Sequence, residues 1–323
     1  MDDKAPRPSG GSGPSGTTFV RMIRKQTPQP RWGGRRYTRA RLSLSDVKRR
    51  WVSRFGVFFL YCLTFLAVTP LLGIFIYIVN KGIPGLNRDF FVSLPKPVGE
   101  TGGGMGNAIV GSGILVSLTS IIGVPWGILL GVYLSEYASS RLARWLRQCI
   151  DQLSSIPSIV IGLFAYAMIV VWTKHFSAWA GTFALLIILV PIVARTTEEI
   201  LKLVPQHIRE AGLALGIPRW NVTLFIVLKG VRGGVMTGVI LGIARIMGET
   251  APLIFTAFNN QYGFSGLNQP TASLPVQLYT YAISPFEEWH QQAWTGALVL
   301  VGIVLALNVI SRILFKKSEV RRD

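Results

Sequence analysis

Phe55–Asn80 reads FGVFFLYCLTFLAVTPLLGIFIYIVN, 26 residues without a single Lys, Arg, Asp or Glu. A helix needs about 20 apolar residues to cross the hydrocarbon core of a bilayer, and this run is long enough. Four further runs share the property: Thr101–Ser135, Gln152–Thr173, Phe176–Ala194 and Trp289–Ser311. A sixth, Val231–Phe258, is comparably apolar but carries Arg245 and Glu249. The expected fold is therefore all-α, a polytopic membrane protein with six transmembrane helices. Half of the 323 residues are hydrophobic and only 15% are charged, which suits that class.

The net charge of +18 raises the question of a nucleic-acid partner, and its placement answers it. Of 33 Lys and Arg, 14 precede residue 55, three lie between spans two and three, six between spans four and five, and five after span six. The opposite side holds four, and the connection Asn259–Gln291 holds none. By the positive-inside rule both termini of this multi-pass protein are expected to be cytoplasmic. The basicity reflects topology first, with attraction of the basic tail to anionic membrane lipid the lesser reading and no nucleic acid implied.

Three regions follow from this. Residues 1–54 open with APRPSGGSGPSG, continue into RRYTRAR, and read as a disordered basic cytoplasmic tail. Gly11, Gly13 and Gly16 satisfy G-x-G-x-x-G, but no strand precedes them and no helix follows, so the match is chance. Residues 55–316 form the membrane domain, and 317–323 a short cytoplasmic tail. Pro125, Pro157 and Pro191 each remove a backbone bond from a span.

Several chemistries have no footing here. There is no Gly-Lys dipeptide, hence no phosphate loop of a self-contained ATPase. His175, His207 and His290 belong to different loops, and Cys62 and Cys149 are too few for a thiolate site, so no metal is expected. No nucleophile motif appears, and the chain is expected to catalyse nothing.

Glu198–Gly230, EEILKLVPQHIREAGLALGIPRWNVTLFIVLKG, is the polar interruption between spans four and five. Pro205 suits a first helical position, Gly216 a left-handed residue past the end, and Pro218 blocks continuation. Between them Ile208, Ala211, Gly212 and Leu215 share one face, with Glu210 beside them. The small Ala-Gly pair lets another surface approach closely, which points to a partner protein. An amphipathic helix lying on lipid is the rival reading, but Glu210 and the Ala-Gly pair disfavour it.

Arg245 and Glu249 are the sharpest chemical signal. Residue 245 lies about 20 Å along a helix entering at Val231, where an Arg costs about 2.5–3.5 kcal/mol on insertion scales. At i, i+4 the two charges can neutralise one another, and Pro252 deprives the carbonyl of Gly248 of its partner. The guanidinium fork fits an oxyanion, and the carboxylate holds it poised when none is present. An ion pair that merely fixes packing is the alternative. Arg195, beside Thr196 and Thr197, is a candidate second station, or else an interfacial Arg reaching water.

These residues carry a resemblance. EAGLALGIPRWNVTLFIVL (residues 210–228) resembles the EAA loop of ABC importer permeases. PIVARTTEEILKLVP, ARIMGETAPLIFTAF and LPVQLYTYA resemble the PstA family of phosphate-specific permease subunits. The resemblance runs from about residue 55 onward. It implies a type I importer permease, subunit of an ATP-driven inorganic phosphate importer. It also implies a second permease (PstC-like), an ATPase dimer (PstB-like) carrying the ATP and magnesium, and an extracytoplasmic phosphate-binding protein (PstS-like). No cofactor would be bound by this chain. Glu210, Ala211, Gly216, Ile208 and Leu215 would meet the ATPase, and Arg195, Arg245, Glu249 and Thr250 would line the phosphate pathway. An importer of sulfate or molybdate is the alternative within the class, and a self-contained anion channel or carrier the alternative outside it.

Overall fold

The computed structural model describes residues 44–97, 100 and 102–319, and every regular element among them is helical. In chain order these are α1 (Leu44–Gly82), α2 (Arg88–Val92), α3 (Gly106–Glu136), α4 (Arg141–Ser155), α5 (Ser158–Thr173), α6 (Ala178–Lys202), α7 (Gln206–Ala214), α8 (Arg219–Leu228), α9 (Arg232–Met247), α10 (Ala251–Thr256), α11 (Leu274–Ala282) and α12 (Glu287–Glu319). The chain divides at Ala67 into two units. Of the first, residues 44–67 are described and form the leading part of α1. The second holds the rest of α1 and everything that follows.

Trp51–Gly85, α3, α6 and Glu287–Ile313 of α12 are each long and apolar enough to cross a membrane. The pairs α4–α5 and α8–α9 pass the same test together, bent by 104° and 76°. Counting each bent pair once gives six candidate spans, the number expected, though α8 falls in the stretch read as the connection between spans four and five. Their limits differ from the expected ones. Helix begins at Leu44, so residues 44–54 of the tail expected to be disordered are helical, and α12 runs to Glu319 into the short C-terminal tail. Residues 1–43 and 320–323 lie outside the described residues. Gln152–Ser155, assigned to span three, end α4 instead; Pro157 caps α5, and the chain turns between them.

α6 is the centre of the bundle, gripped from two sides by glycines. On α3, added Cβ atoms at Gly123, Gly127 and Gly131 would come within 2.9 Å of Leu186, 2.7 Å of Val193 and 2.6 Å of the Ala194 carbonyl. On α9, Gly234, Gly238 and Gly242 meet Ile200, Thr196 and Leu189 in the same way. Both stripes recur every four residues, one helical face each. Between apolar helices in lipid, such close approach supplies the packing that hydrophobic burial supplies in water. Leu115, Leu185, Leu189, Val239, Ile246 and Leu253 fill the core that results.

Gly131→Ala is expected to destabilise the fold by about 1–3 kcal/mol, because a backbone carbonyl cannot rotate away. Gly113→Ala, on the same helix with nothing within 4 Å of its Cβ, is the control. Thermal denaturation in detergent, followed by size-exclusion chromatography, should separate them; equal midpoints would disprove the clamp.

At the end of the bundle opposite α7, hydrogen bonds add to the packing. Ser177 caps α6 through Ala180 N (3.2 Å) while its own N–H donates to Thr256 O (3.1 Å). Ser112 Oγ accepts from Leu274 N at 2.7 Å, and Asn107 Nδ2 donates to Asn260 O. Phe90, Met105, Leu274 and Tyr281 form a second buried cluster there.

Candidate functional site

The last turn of α9 carries Arg245, where a cation is favoured by the partial negative charge of a helix C-terminus. The helix then stops. Gly248 N–H and Glu249 N–H turn back to Arg245 O and Ile246 O, Thr250 stands before α10, and Pro252 falls in the first turn of α10. In that turn the missing N–H of a proline costs nothing. Span five, expected as a continuous but weakened helix over Val231–Phe258, is thus two helices with Gly248–Thr250 between them. α5 buttresses the break: a Cβ on Gly162 would lie 2.6 Å from Pro252 Cα.

Arg245 Nε lies 3.7 Å from Glu249 Oε1, an ion pair too long for a hydrogen bond. Glu249 is 14% exposed and Arg245 63%, so the carboxylate is sheltered and the guanidinium presented. Both line a cleft of about 600 Å³. Across it stands the elbow between α4 and α5, contributing Ser154, Ser155 and Ser158, while Ile188 and Ile192 of α6 and Leu241 of α9 supply apolar wall. Ser154 and Ser155 hydroxyls donate to Ile150 O (2.9 Å) and Gln152 O (2.7 Å). A hydroxyl rotates, so each could turn its proton toward a guest in the cleft. Guanidinium and hydroxyl donors on apolar walls, with one carboxylate acceptor, form a donor set suited to a protonated oxyanion.

The sequence reading located Arg245, Glu249 and Thr250 together but missed the serines. These serines flank Pro157 within the run Gln152–Thr173, and nothing local showed that the elbow faces residue 245. Thr250 adjoins the break, half-buried, outside the lining of the cleft.

Arg195 stands one turn beyond Ile192 on the same face of α6, among carboxylates. Its Nε is 3.1 Å from Glu199, and its Nη1 is 3.5 Å from Glu198 and 3.7 Å from Asp151. Glu198 is fully buried and also binds Arg147 (2.7 Å) and Lys202. Arg147 further donates to Leu134 O at 3.1 Å, so this carboxylate joins α4, α6 and the end of α3. The Glu198–Lys202 pair is legible as i, i+4 spacing. The bond to Arg147, 51 residues away, is not.

Helix α7 occupies the polar interruption. It begins at Gln206, with Pro205, expected as the first helical residue, at the N-cap instead, and Gly216 has φ +76° as anticipated. Of the anticipated face, only Gly212 turns inward, with Val222 of α8 in the space a Cβ would fill. Ile208, Ala211 and Leu215 are exposed, as are Leu213 and Glu210. The face is presented and uncovered within this chain.

The family described as binding-protein-dependent transport system inner membrane component matches residues 123–322. A chain of the MetNI methionine ABC transporter, solved in inward-facing form, superposes with a TM-score of 0.52 at 18% identity, covering 65% of this chain and 92% of its own. The chain belongs to that family of inner membrane permease components, and it has their fold. Closer relatives narrow the assignment. The phosphate transport system permease protein PstA of Yersinia pestis is 46% identical over 82% of this chain and 86% of the relative. That of Pasteurella multocida is 46% identical over 82% and 91%, and a probable PstA of Methanocaldococcus jannaschii 38% identical over 80% and 92%. The chain is a member of the PstA family, a multi-pass inner membrane protein.

Proposed function

We propose that this chain is the permease subunit of an ATP-driven importer of inorganic phosphate and forms half of its translocation pathway. The observation that carries the proposal is the loose Arg245–Glu249 pair at a helix break, facing a cleft with three serines. Arg245 receives the anion, the serine hydroxyls take its remaining oxygens, and Glu249 accepts a hydrogen bond from the proton that phosphate retains and sulfate lacks. A single loosely held cation binds weakly enough to let the anion leave, as conduction requires. Thr250 shapes the same break. Arg195 would act as a second station only by exchanging a carboxylate for the anion.

The termini and α7 lie on the cytoplasmic side, where α7 enters a groove of a PstB-like ATPase in the helix-in-groove mode. A PstC-like second permease completes the pathway, and a PstS-like binding protein delivers phosphate from the other side. ATP and magnesium reside on the ATPase, and this chain performs no catalysis. Membership of the PstA family and the exposed apolar face of α7 support this arrangement.

The test is uptake by the four-component complex in proteoliposomes. Radiolabelled phosphate should accumulate only with ATP and binding protein, and unlabelled sulfate or molybdate in tenfold excess (roughly 1.4 kcal/mol of competition) should not displace it. Displacement would favour the broader oxyanion reading; uptake without ATP would favour a self-contained channel or carrier.

A further inference from the structure

Arg209 stands on the inner side of α7, beside the exposed face but pointing away from it, and is only 17% exposed. Each nitrogen of its guanidinium donates to a different group. Nε reaches Glu136 Oε1 at 3.1 Å, Nη1 reaches Val204 O at 2.7 Å, and Nη2 reaches Leu201 O at 2.9 Å. Glu136 is the last residue of α3 and is 9% exposed. Leu201 lies in the last turn of α6 and Val204 two residues past its end, and Leu201 O also accepts from Val204 N–H at 3.2 Å. One side chain therefore ties α7 to the ends of both α3 and α6. Those two helices are already locked together by the glycine stripe of α3, and α6 is locked to α9, which carries Arg245.

From this placement we infer that Arg209 is the residue through which α7 moves the membrane helices, a positioning residue that transmits displacement rather than meeting ATPase or phosphate. The inference rests on the reading of α7 as the ATPase-binding helix. Gly212 of α7 also packs against Val222 and Ile226 of α8, apolar contact that resists compression but holds little under tension or rotation. Charge-assisted bonds in a sheltered place are directional and hold against both. The planar fork matters, because a lysine is a point charge on a flexible stem and cannot span two carbonyls and a carboxylate in fixed geometry.

The experiment uses the complete transporter in proteoliposomes, with ATP hydrolysis and phosphate uptake measured on the same vesicles. For Arg209→Gln the ATPase should co-purify in its usual amount and hydrolysis should persist. Phosphate moved per ATP should fall at least about tenfold, the scale of one lost charge-assisted bond. Arg209→Lys should fall nearly as far. Glu136→Gln, which leaves both carbonyl bonds in place and so retains the fold, should give a smaller fall in the same ratio. An unchanged ratio in Arg209→Gln and Glu136→Gln would overturn the inference, and so would loss of the ATPase from the Arg209→Gln complex, since that marks a docking residue. Variants of the exposed face of α7 that still hold and obey the ATPase would instead overturn the reading on which it rests.

Discussion

Arg245→Gln is expected to abolish phosphate uptake while leaving the complex assembled and its ATP hydrolysis intact. Losing a charged hydrogen-bond donor to an anion costs about 1.5–3 kcal/mol, roughly ten- to 160-fold in rate. A second penalty acts in the same direction. Glu249 is sheltered and would lose its counter-ion, leaving a carboxylate to repel the arriving anion. The two contributions can be separated with the double variant Arg245→Gln/Glu249→Gln. If the arginine receives the anion, the double variant stays inactive; if it only neutralises Glu249, the double variant recovers uptake. Assembly should survive, since Arg245 is largely exposed and its ion pair with Glu249 is long. Normal uptake by the single variant would remove Arg245 from the pathway.

The other large effect is expected at α7. Glu210→Lys combined with Gly216→Val should detach the ATPase and eliminate ATP-dependent uptake. Glu210 is exposed on the presented face, so reversing its charge alters the partner surface and not the fold. Gly216 acts differently. Nothing lies within 4 Å of where its Cβ would be, so a larger residue meets no clash. Its φ of +76° is the cause of sensitivity, since an L side chain there costs about 1–2 kcal/mol. That strain is relieved by redirecting the end of α7, which changes the angle at which Leu213 and Leu215 are offered. Co-purification of the ATPase and uptake are the measurements. Full retention of both would show that this face docks nothing.

The two variants fail for different reasons, and the contrast extends to the Arg209 proposal. Arg245→Gln leaves a coupled machine with no carrier for the anion. The α7 double variant leaves a pathway with no motor. Arg209→Gln should leave motor and pathway both present and poorly connected, a distinct result on the same vesicles.

The sequence by itself determined the class of fold, because crossing a bilayer demands uncharged length and the runs supply it. It determined α7, whose proline entry and left-handed glycine are local backbone properties. It also determined that residues 245 and 249 share a face, since i, i+4 spacing requires nothing beyond the helix. The fate of each proline was decided only by tertiary structure. Pro125 and Pro191 remain inside continuous helices, whereas Pro157 and Pro252 sit at breaks. All four lack the same N–H, a loss that costs a backbone bond inside a helix and nothing in its first turn. The difference lies in the neighbours: α3 and α9 hold α6 straight along its length, while α5 and α10 meet where Gly162 admits Pro252. The elbow serines opposite Arg245, the bond from Arg147 to Glu198, and that from Arg209 to Glu136 join residues distant in the chain. Such contacts form where helices converge, and no local pattern of charge or hydrophobicity encodes them.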